Sequence, residues 1–298
     1  MKNVLIIGCG LIGSSLLRSI ANKKIAKKIF VYEKSKLNIL KIKKLKLPCE
    51  VTNDLKTIIP NLDLIIFCTP LGEYEKIILK MNKYLLSKTI ITDVGSSKET
   101  SMKLIKNKLK KGISWTSSHP IAGSEVSGPE NGVKNLFLNK WCILIKEKNT
   151  NKKHLKILEK FWKKIGSRVA IMDSKQHDTV FSMTSHLPHL IAYNLVKTAT
   201  DFEKQQRYDL IKFSAGGLRD FSRIAASNEI MWRDIFFNNQ KNISKTIDLF
   251  IKNLRLFKKD IKSENNKSLI KKLVDTKKVR KKIIKFKQDI NKPDFGRS

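Results

Sequence analysis

The run Gly8-Cys9-Gly10-Leu11-Ile12-Gly13 sits directly after the apolar stretch Val4 to Ile7 and opens a segment with helical periodicity. That context turns a weak GxGxxG string into a dinucleotide-binding fingerprint. Each glycine has its own duty: Gly8 for the tight turn, Gly10 for backbone approach to a pyrophosphate, and Gly13 for close packing of helix on strand. Leu11 and Ile12 open the helix, whose N-terminus brings partial positive charge to the same place. A chain that starts this way is committed to a βαβ unit and a parallel sheet.

The first 173 residues keep that rhythm. Short apolar runs at 3–8, 28–33, 62–69, 89–93, 113–118, 141–146 and 168–172 alternate with helix-like stretches, so an α/β fold with a Rossmann-type dinucleotide-binding domain is expected over residues 1–173. The stretch 71–85 places Tyr74, Ile77, Ile78, Met81 and Leu85 at helical steps, and Ser96 to Glu99 matches a capping box opening a helix. Beyond Asp173 the strand signals stop. Long helical periods at 180–200, 228–259 and 269–288 predict an all-helical domain over 174–298, whose broad apolar stripes have to pack against something; a helical dimerisation domain, and so a homodimer, is a common solution.

Glu33 follows Gly13 by 20 residues, at the end of the second apolar run. An acidic side chain there accepts hydrogen bonds from ribose hydroxyls and repels a 2′-phosphate, so NAD is favoured over NADP although Lys34, Ser35 and Lys36 follow at once. A solvated strand-end charge is the plain alternative. Thr69 and Pro70, and Asp93 and Gly95, stand at the carboxyl ends of predicted parallel strands, where open α/β sheets hold their ligands, and are assigned to cofactor binding.

Composition narrows the classes further. With 41% hydrophobic residues the chain is not disordered throughout, and no uncharged apolar stretch is long enough for a transmembrane helix. The apolar run before Gly8 is too short for a signal core. Cys9, Cys49, Cys68 and Cys142 show neither metal-ligand nor redox spacing, which predicts no metal, no disulfide frame and a cytoplasmic setting. A formal charge of +35 invites a polyanion reading, but the excess is present along the whole chain and only about twofold denser in its last ~40 residues. It is read as background bias, with nucleic acid not expected as a partner. A nucleic-acid binder would show affinity falling steeply with salt.

Five histidines occur, at 119, 154, 177, 186 and 189. His154, among lysines, is expected at the surface; His177 as polar surface or helix-cap support. His119 opens His-Pro-Ile-Ala-Gly-Ser-Glu-Val-Ser-Gly, and Pro188 stands between His186 and His189 in a helical run. A proline there frees a carbonyl and costs about 3 kcal/mol in a helix interior, which points to a shaped site.

The GxGLIG run, Asp93-Val94-Gly95-Ser96-Ser97-Lys98, the block 119–128, Ser185–His189, and Gly216-Gly217-Leu218-Arg219-Asp220-Phe221-Ser222-Arg223-Ile224-Ala225 followed by Met231-Trp232 resemble the prephenate/arogenate dehydrogenase family of tyrosine biosynthesis. The resemblance runs from residue 1 to about 260, with motifs from both halves in order. It implies NAD-dependent oxidative decarboxylation of a small ring-bearing diacid, prephenate or arogenate. It also implies an active site between the two domains, with His119 as the base, titrating near neutrality, and Ser96 or Ser97 orienting it. Arg223 is then the carboxylate clamp, supported by Arg219 and Asp220, and His189 contacts substrate or nicotinamide. Trp232 either walls the pocket or fills the core. Glu125 and Asp178 fall at positions tied to gating or domain contacts, and His186 reads as structural or functional alike. The competing readings are a 3-hydroxyacid or 6-phosphogluconate type dehydrogenase, which would rely on a lysine base, and a cofactor-sensing protein without turnover.

Overall fold

The computed structural model describes residues 1–207 and 209–286. The expected end of the last helix at Gln288 and the final residues from Asn291 lie outside the described residues. Strand β1 (Asn3–Ile7) leads through helix α1 (Leu11–Asn22) to β2 (Lys28–Tyr32), α2 (Lys36–Lys44), β3 (Glu50–Val51), α3 (Leu55–Ile58), β4 (Leu64–Phe67), α4 (Tyr74–Met81), β5 (Ile90–Asp93) and α5 (Glu99–Lys108). The five strands form one parallel sheet in the order β3-β2-β1-β4-β5. The two-residue β3 was not foreseen, because two residues are too few to display an alternation.

Successive side chains of a strand face opposite sides, and the core divides accordingly. Val4 and Ile6 of β1 and Leu64 and Ile66 of β4 pack with Leu16, Leu17 and Ile20 of α1. Leu5, Ile7, Ile65 and Phe67 turn the other way, onto Tyr74, Ile77, Ile78 and Met81 of α4. Both faces of the sheet are thus covered by helices, as a parallel sheet requires.

A second, three-stranded sheet follows: β6 (Ser118–Pro120) antiparallel to β7 (Trp141–Ile145), which runs parallel to β8 (Arg168–Met172) after α6 (Lys152–Ile165). Instead of the strand expected over 113–118, only Trp115 makes a parallel bridge, to Ile91, and pairing begins at Ser118. The intervening polar residues are drawn elsewhere: Ser117 Oγ donates to Asp93 Oδ1, and Ser118 Oγ to the Asp93 carbonyl at 2.6 Å.

Helices then take over: α7 (Ser174–Phe181), a π turn (Ser182–His186), α8 (Leu187–Gln206), α9 (Gly216–Ala225), α10 (Glu229–Asn238), α11 (Gln240–Lys262) and α12 (Asn266–Lys285). Pro188 lies in the first turn of α8, where the missing N–H is tolerated, and the π turn carries the chain into it. The single helix expected over 228–259 is broken at Asn239, whose side chain is pulled inward to bond Asp178 and His186.

Residues 1–243 form one compact unit, and a second begins at Ser244 inside α11. Within the second unit Lys272 pairs with Asp260 and sits 6.0 Å from the Phe257 ring centroid, while Leu254, Ile261, Ile270, Leu273 and Val279 remain exposed. No described helix is long and apolar enough to cross a membrane.

Candidate active site

At the end of β1 the chain turns through Gly8 at φ +87°, a left-handed conformation suited to glycine. A Cβ on Gly13 would lie 2.0 Å from the Gly8 carbonyl oxygen, so helix α1 can approach the strand only with glycine there, whereas a Cβ on Gly10 would meet open space. That space adjoins the α1 N-terminus, the place a pyrophosphate would take. Thr69 Oγ1, just past β4, is buried without a hydrogen-bond partner, a free polar group beside the same turn; Pro70 is exposed. These features fit a dinucleotide.

Glu33 is only 7% exposed, so it is not a solvated strand-end charge. Its Oε2 accepts the Cys9 N–H at 2.8 Å and its Oε1 the Ser35 N–H at 2.9 Å, tying the glycine turn to the end of β2. Lys34 is paired with Glu73 at 2.8 Å, and Ser35 caps α2 by accepting from the Asn38 N–H. Two of the three residues able to greet a 2′-phosphate are therefore already engaged.

Asp93 departs from expectation. It is fully buried, and its carboxylate accepts from Lys98 Nζ at 2.6 Å, Gly95 N–H at 3.0 Å, Trp115 Nε1 at 3.1 Å, Tyr74 Oη at 3.2 Å and Ser117 Oγ. All its acceptor capacity is taken by protein, so it organises the turn carrying Gly95 rather than facing a ligand. Gly95 is needed for space: a Cβ would come within 2.6 Å of Leu71. The capping box at Ser96 is also replaced. Helix α5 begins at Glu99 with no cap from its own side chains, and Asp178 on α7 accepts both the Lys98 and Glu99 N–H groups at 2.8 Å.

That carboxylate has a further bond. Asp178 Oδ1 is 2.8 Å from His177 Nδ1, and His177 Nε2 is 2.8 Å from His119 Nδ1. A carboxylate only accepts, so His177 Nδ1 carries the proton; neutral His177 then offers a lone pair at Nε2, and His119 must donate from Nδ1. His119 Nε2 is left as the acceptor. The hydrogen bonds fix this tautomer by elimination.

Burial drives His119 well below the usual histidine range, with His177, the Lys98 charge and His186 acting in the same direction; the near-neutral titration expected from sequence is corrected. His177 is fully buried, not at the surface, and burial lowers it too, against the opposing pull of Asp178. His154 is likewise buried, bonded to Ser114 Oγ at 2.8 Å, because it lies on the stripe that places Leu158, Phe161 and Ile165 inward. Neither Ser96 nor Ser97 supplies the partner that orients His119; Ser97 Oγ is buried and unbonded.

From Asp178 the network continues. Asn239 Nδ2 donates to the Asp178 carbonyl at 2.8 Å and meets His186 Nδ1 at 3.1 Å; burial pushes His186 down to about 4. Trp232, 5% exposed, presents its edge to His186 and stacks on His189 with ring centroids 3.8 Å apart. His189 Nδ1 donates to the Ser185 carbonyl at 3.0 Å, and burial lowers its affinity for a proton, helped by the charge of Arg223. Arg223, on the exposed helix α9, pairs with Glu125 at 3.3 Å, and Arg219 is exposed on the same helix. Contacts thus run from His119 to the neighbourhood of Arg223. Asn239 and Lys98 were given no role from sequence, His177 was read as surface or cap support and Asp178 as tied to gating or domain contacts; the signal for their joint role was the His177-Asp178 pair in the first turn after Asp173.

A glycine turn at the end of a parallel strand marks a dinucleotide-binding fold, and the same compact unit holds a buried imidazole with a fixed tautomer. Two family models match the chain: prephenate dehydrogenase, nucleotide-binding domain, over residues 16–171, and prephenate dehydrogenase, dimerization domain, over residues 173–275. A cyclohexadienyl dehydrogenase of Zymomonas mobilis is 33% identical over 94% of this chain and 95% of its own, and a prephenate dehydrogenase of Bacillus subtilis 28% over 90% and 72%. The crystal structure of prephenate dehydrogenase from A. aeolicus in complex with hydroxyphenyl propionate and NAD+ superposes with a TM-score of 0.88 at 35% identity, covering 95% of this chain and 98% of that one. The chain belongs to the prephenate dehydrogenase family.

Proposed function

We propose that this protein carries out the NAD-dependent oxidative decarboxylation of prephenate to 4-hydroxyphenylpyruvate. The tautomer of His119 carries the reading: a neutral imidazole with Nε2 free to accept is what the ring hydroxyl of the substrate needs as its proton leaves. His177 and Asp178 keep that lone pair in place and stabilise the imidazolium that forms. Arg223 binds the side-chain carboxylate, exchanging Glu125 for it, with Arg219 assisting; His189 and Trp232 form a flat wall against the ring.

Gly8, Gly10, Leu11, Ile12, Gly13, Glu33, Thr69, Pro70 and Gly95 are the residues proposed to form the dinucleotide site, Glu33 toward the ribose. When bound there, NAD would supply the hydride acceptor for the hydroxyl-bearing carbon, whose oxidation lets the ring carboxylate leave as CO2. Residues 1–173 thus hold the nucleotide and supply the base His119, and the helices from 174 onward bind the rest of the substrate and form a homodimer. The relative named cyclohexadienyl dehydrogenase, and the carboxylate of Glu125 beside Arg223, favour arogenate as a second substrate, because a carboxylate there would accept from a side-chain ammonium.

The test is incubation of the purified protein with NAD and either prephenate or arogenate, following NADH and the aromatic product. NADH with 4-hydroxyphenylpyruvate is expected. Absence of NADH with both substrates would defeat the reading, and turnover of arogenate alone would reverse the order of the two.

A further inference from the structure

Lys98 is fully buried, and both its ends touch the supports of His119. Its ammonium lies 2.6 Å from Asp93 Oδ2 and donates to the Ser118 carbonyl at 2.7 Å, one residue before His119. Its backbone N–H donates to Asp178 Oδ1, the same oxygen that holds His177. Asp93, its counter-ion, also collects Trp115 and Ser117 from the segment leading into β6, and its own carbonyl accepts from Ser118 Oγ. The turn after β5 and the start of β6 are therefore closed around one buried ion pair. A pair of this kind contributes little net stability over an apolar replacement, so its presence one residue from the base asks for another account.

We infer that Lys98 is a positioning residue for the reaction: its ammonium fixes the backbone that carries His119 and, as a fixed positive charge, holds His119 unprotonated. This rests on the role of His119 proposed above. The ionisable groups around His119 are His177 and Asp178 on α7, Lys98 before α5, Asp93 on β5, His186 in the π turn and Cys142 on β7. Of these, Lys98 is the one paired with a carboxylate as a cation, and its charge lowers the affinity of His119 for a proton, after burial and the neighbouring His177. Taking it away removes a positive charge that opposes imidazolium. Protonation of the base would then set in at higher pH.

Two variants separate positioning from plain core support: Lys98→Met, which keeps the length without the charge, and Lys98→Arg, which keeps the charge in a shape the cavity does not match. The His119 imidazole is titrated by NMR in the protein without substrate, its signal identified by loss in His119→Asn, and kcat with NAD and prephenate is followed against pH. In Lys98→Met the titration midpoint and the acid limb of kcat are expected to rise by roughly one pH unit, with kcat at neutral pH falling on the order of tenfold. In Lys98→Arg kcat falls similarly while the acid limb stays in place. An unmoved midpoint in Lys98→Met, with activity lowered equally at all pH values, overturns the inference. If Lys98→Met does not fold, Lys98→Arg decides alone, and kcat within about twofold of the parent is the overturning result. A parent that turns over no prephenate, with the midpoint still raised in Lys98→Met, refutes the proposed reaction and leaves the electrostatic role of Lys98 standing.

Discussion

The two ends of the proposed substrate site are built on opposite plans. Around His119 every partner is buried, with consecutive bonds of 2.8 Å from Asp178 through His177, and the chain has a single consistent assignment of protons. Around Arg223 there is one 3.3 Å contact to Glu125, on a helix with no buried residue, and the guanidinium side chain is 45% exposed. The closed end suits a step in which a proton must move along a fixed line, since preorganised groups need no rearrangement at the moment of reaction. The open end suits capture and release, where a weakly held cation can trade one carboxylate for another.

Substitutions at the closed end should therefore act on turnover and those at the open end on affinity. His119→Asn is expected to lower kcat by roughly 10²–10⁴ while NAD affinity, measured by fluorescence titration, hardly changes. A loss confined to KM would erase the contrast.

The closed end should also show itself in stability. His186 is held at about 4 when folded and returns to about 6.5 when unfolded, so the unfolded chain binds the extra proton and folding weakens as pH falls through that interval. The loss from this group is on the order of 3 kcal/mol by pH 4, with His119 and His177 adding in the same direction. Urea unfolding between pH 7 and 4 checks it, and a flat profile would mean that these imidazoles are not buried neutral.

At the open end, Arg223→Ala should raise KM for prephenate about 10- to 100-fold with a smaller change in kcat, the range expected for losing a charged hydrogen bond. Glu125→Gln should do least, shifting KM by no more than about fivefold, because an exposed ion pair is worth at most ~1 kcal/mol. A larger loss of kcat in Glu125→Gln would place that carboxylate in the chemistry and blur the distinction.

What the sequence revealed follows the same division between local and distant. The glycine turn was legible because Gly8 needs a left-handed φ and Gly13 sits against the Gly8 carbonyl, constraints that act within six positions of the chain. Strands β1, β2, β4, β5, β7 and β8 were legible from their apolar runs. The supports of His119 were not. Residues 119 and 177 meet across 58 positions, and Asp178 caps a helix that starts 79 positions earlier, so no window of sequence contains the bond. Asp93 misled for a related reason: it does stand at the end of a parallel strand, but a buried lysine five residues on had already claimed it. His154 was misjudged by its lysine neighbours, when its spacing to Leu158 and Phe161 was the better guide.

Asp178 closes the start of α5 with two backbone bonds and steers a side chain on its own helix with a third. Its replacement would fray a helix and misalign an imidazole at once, so screening for folded variants and screening for active ones would discard the same substitutions. At this position, libraries built to separate stability from activity will find the two inseparable.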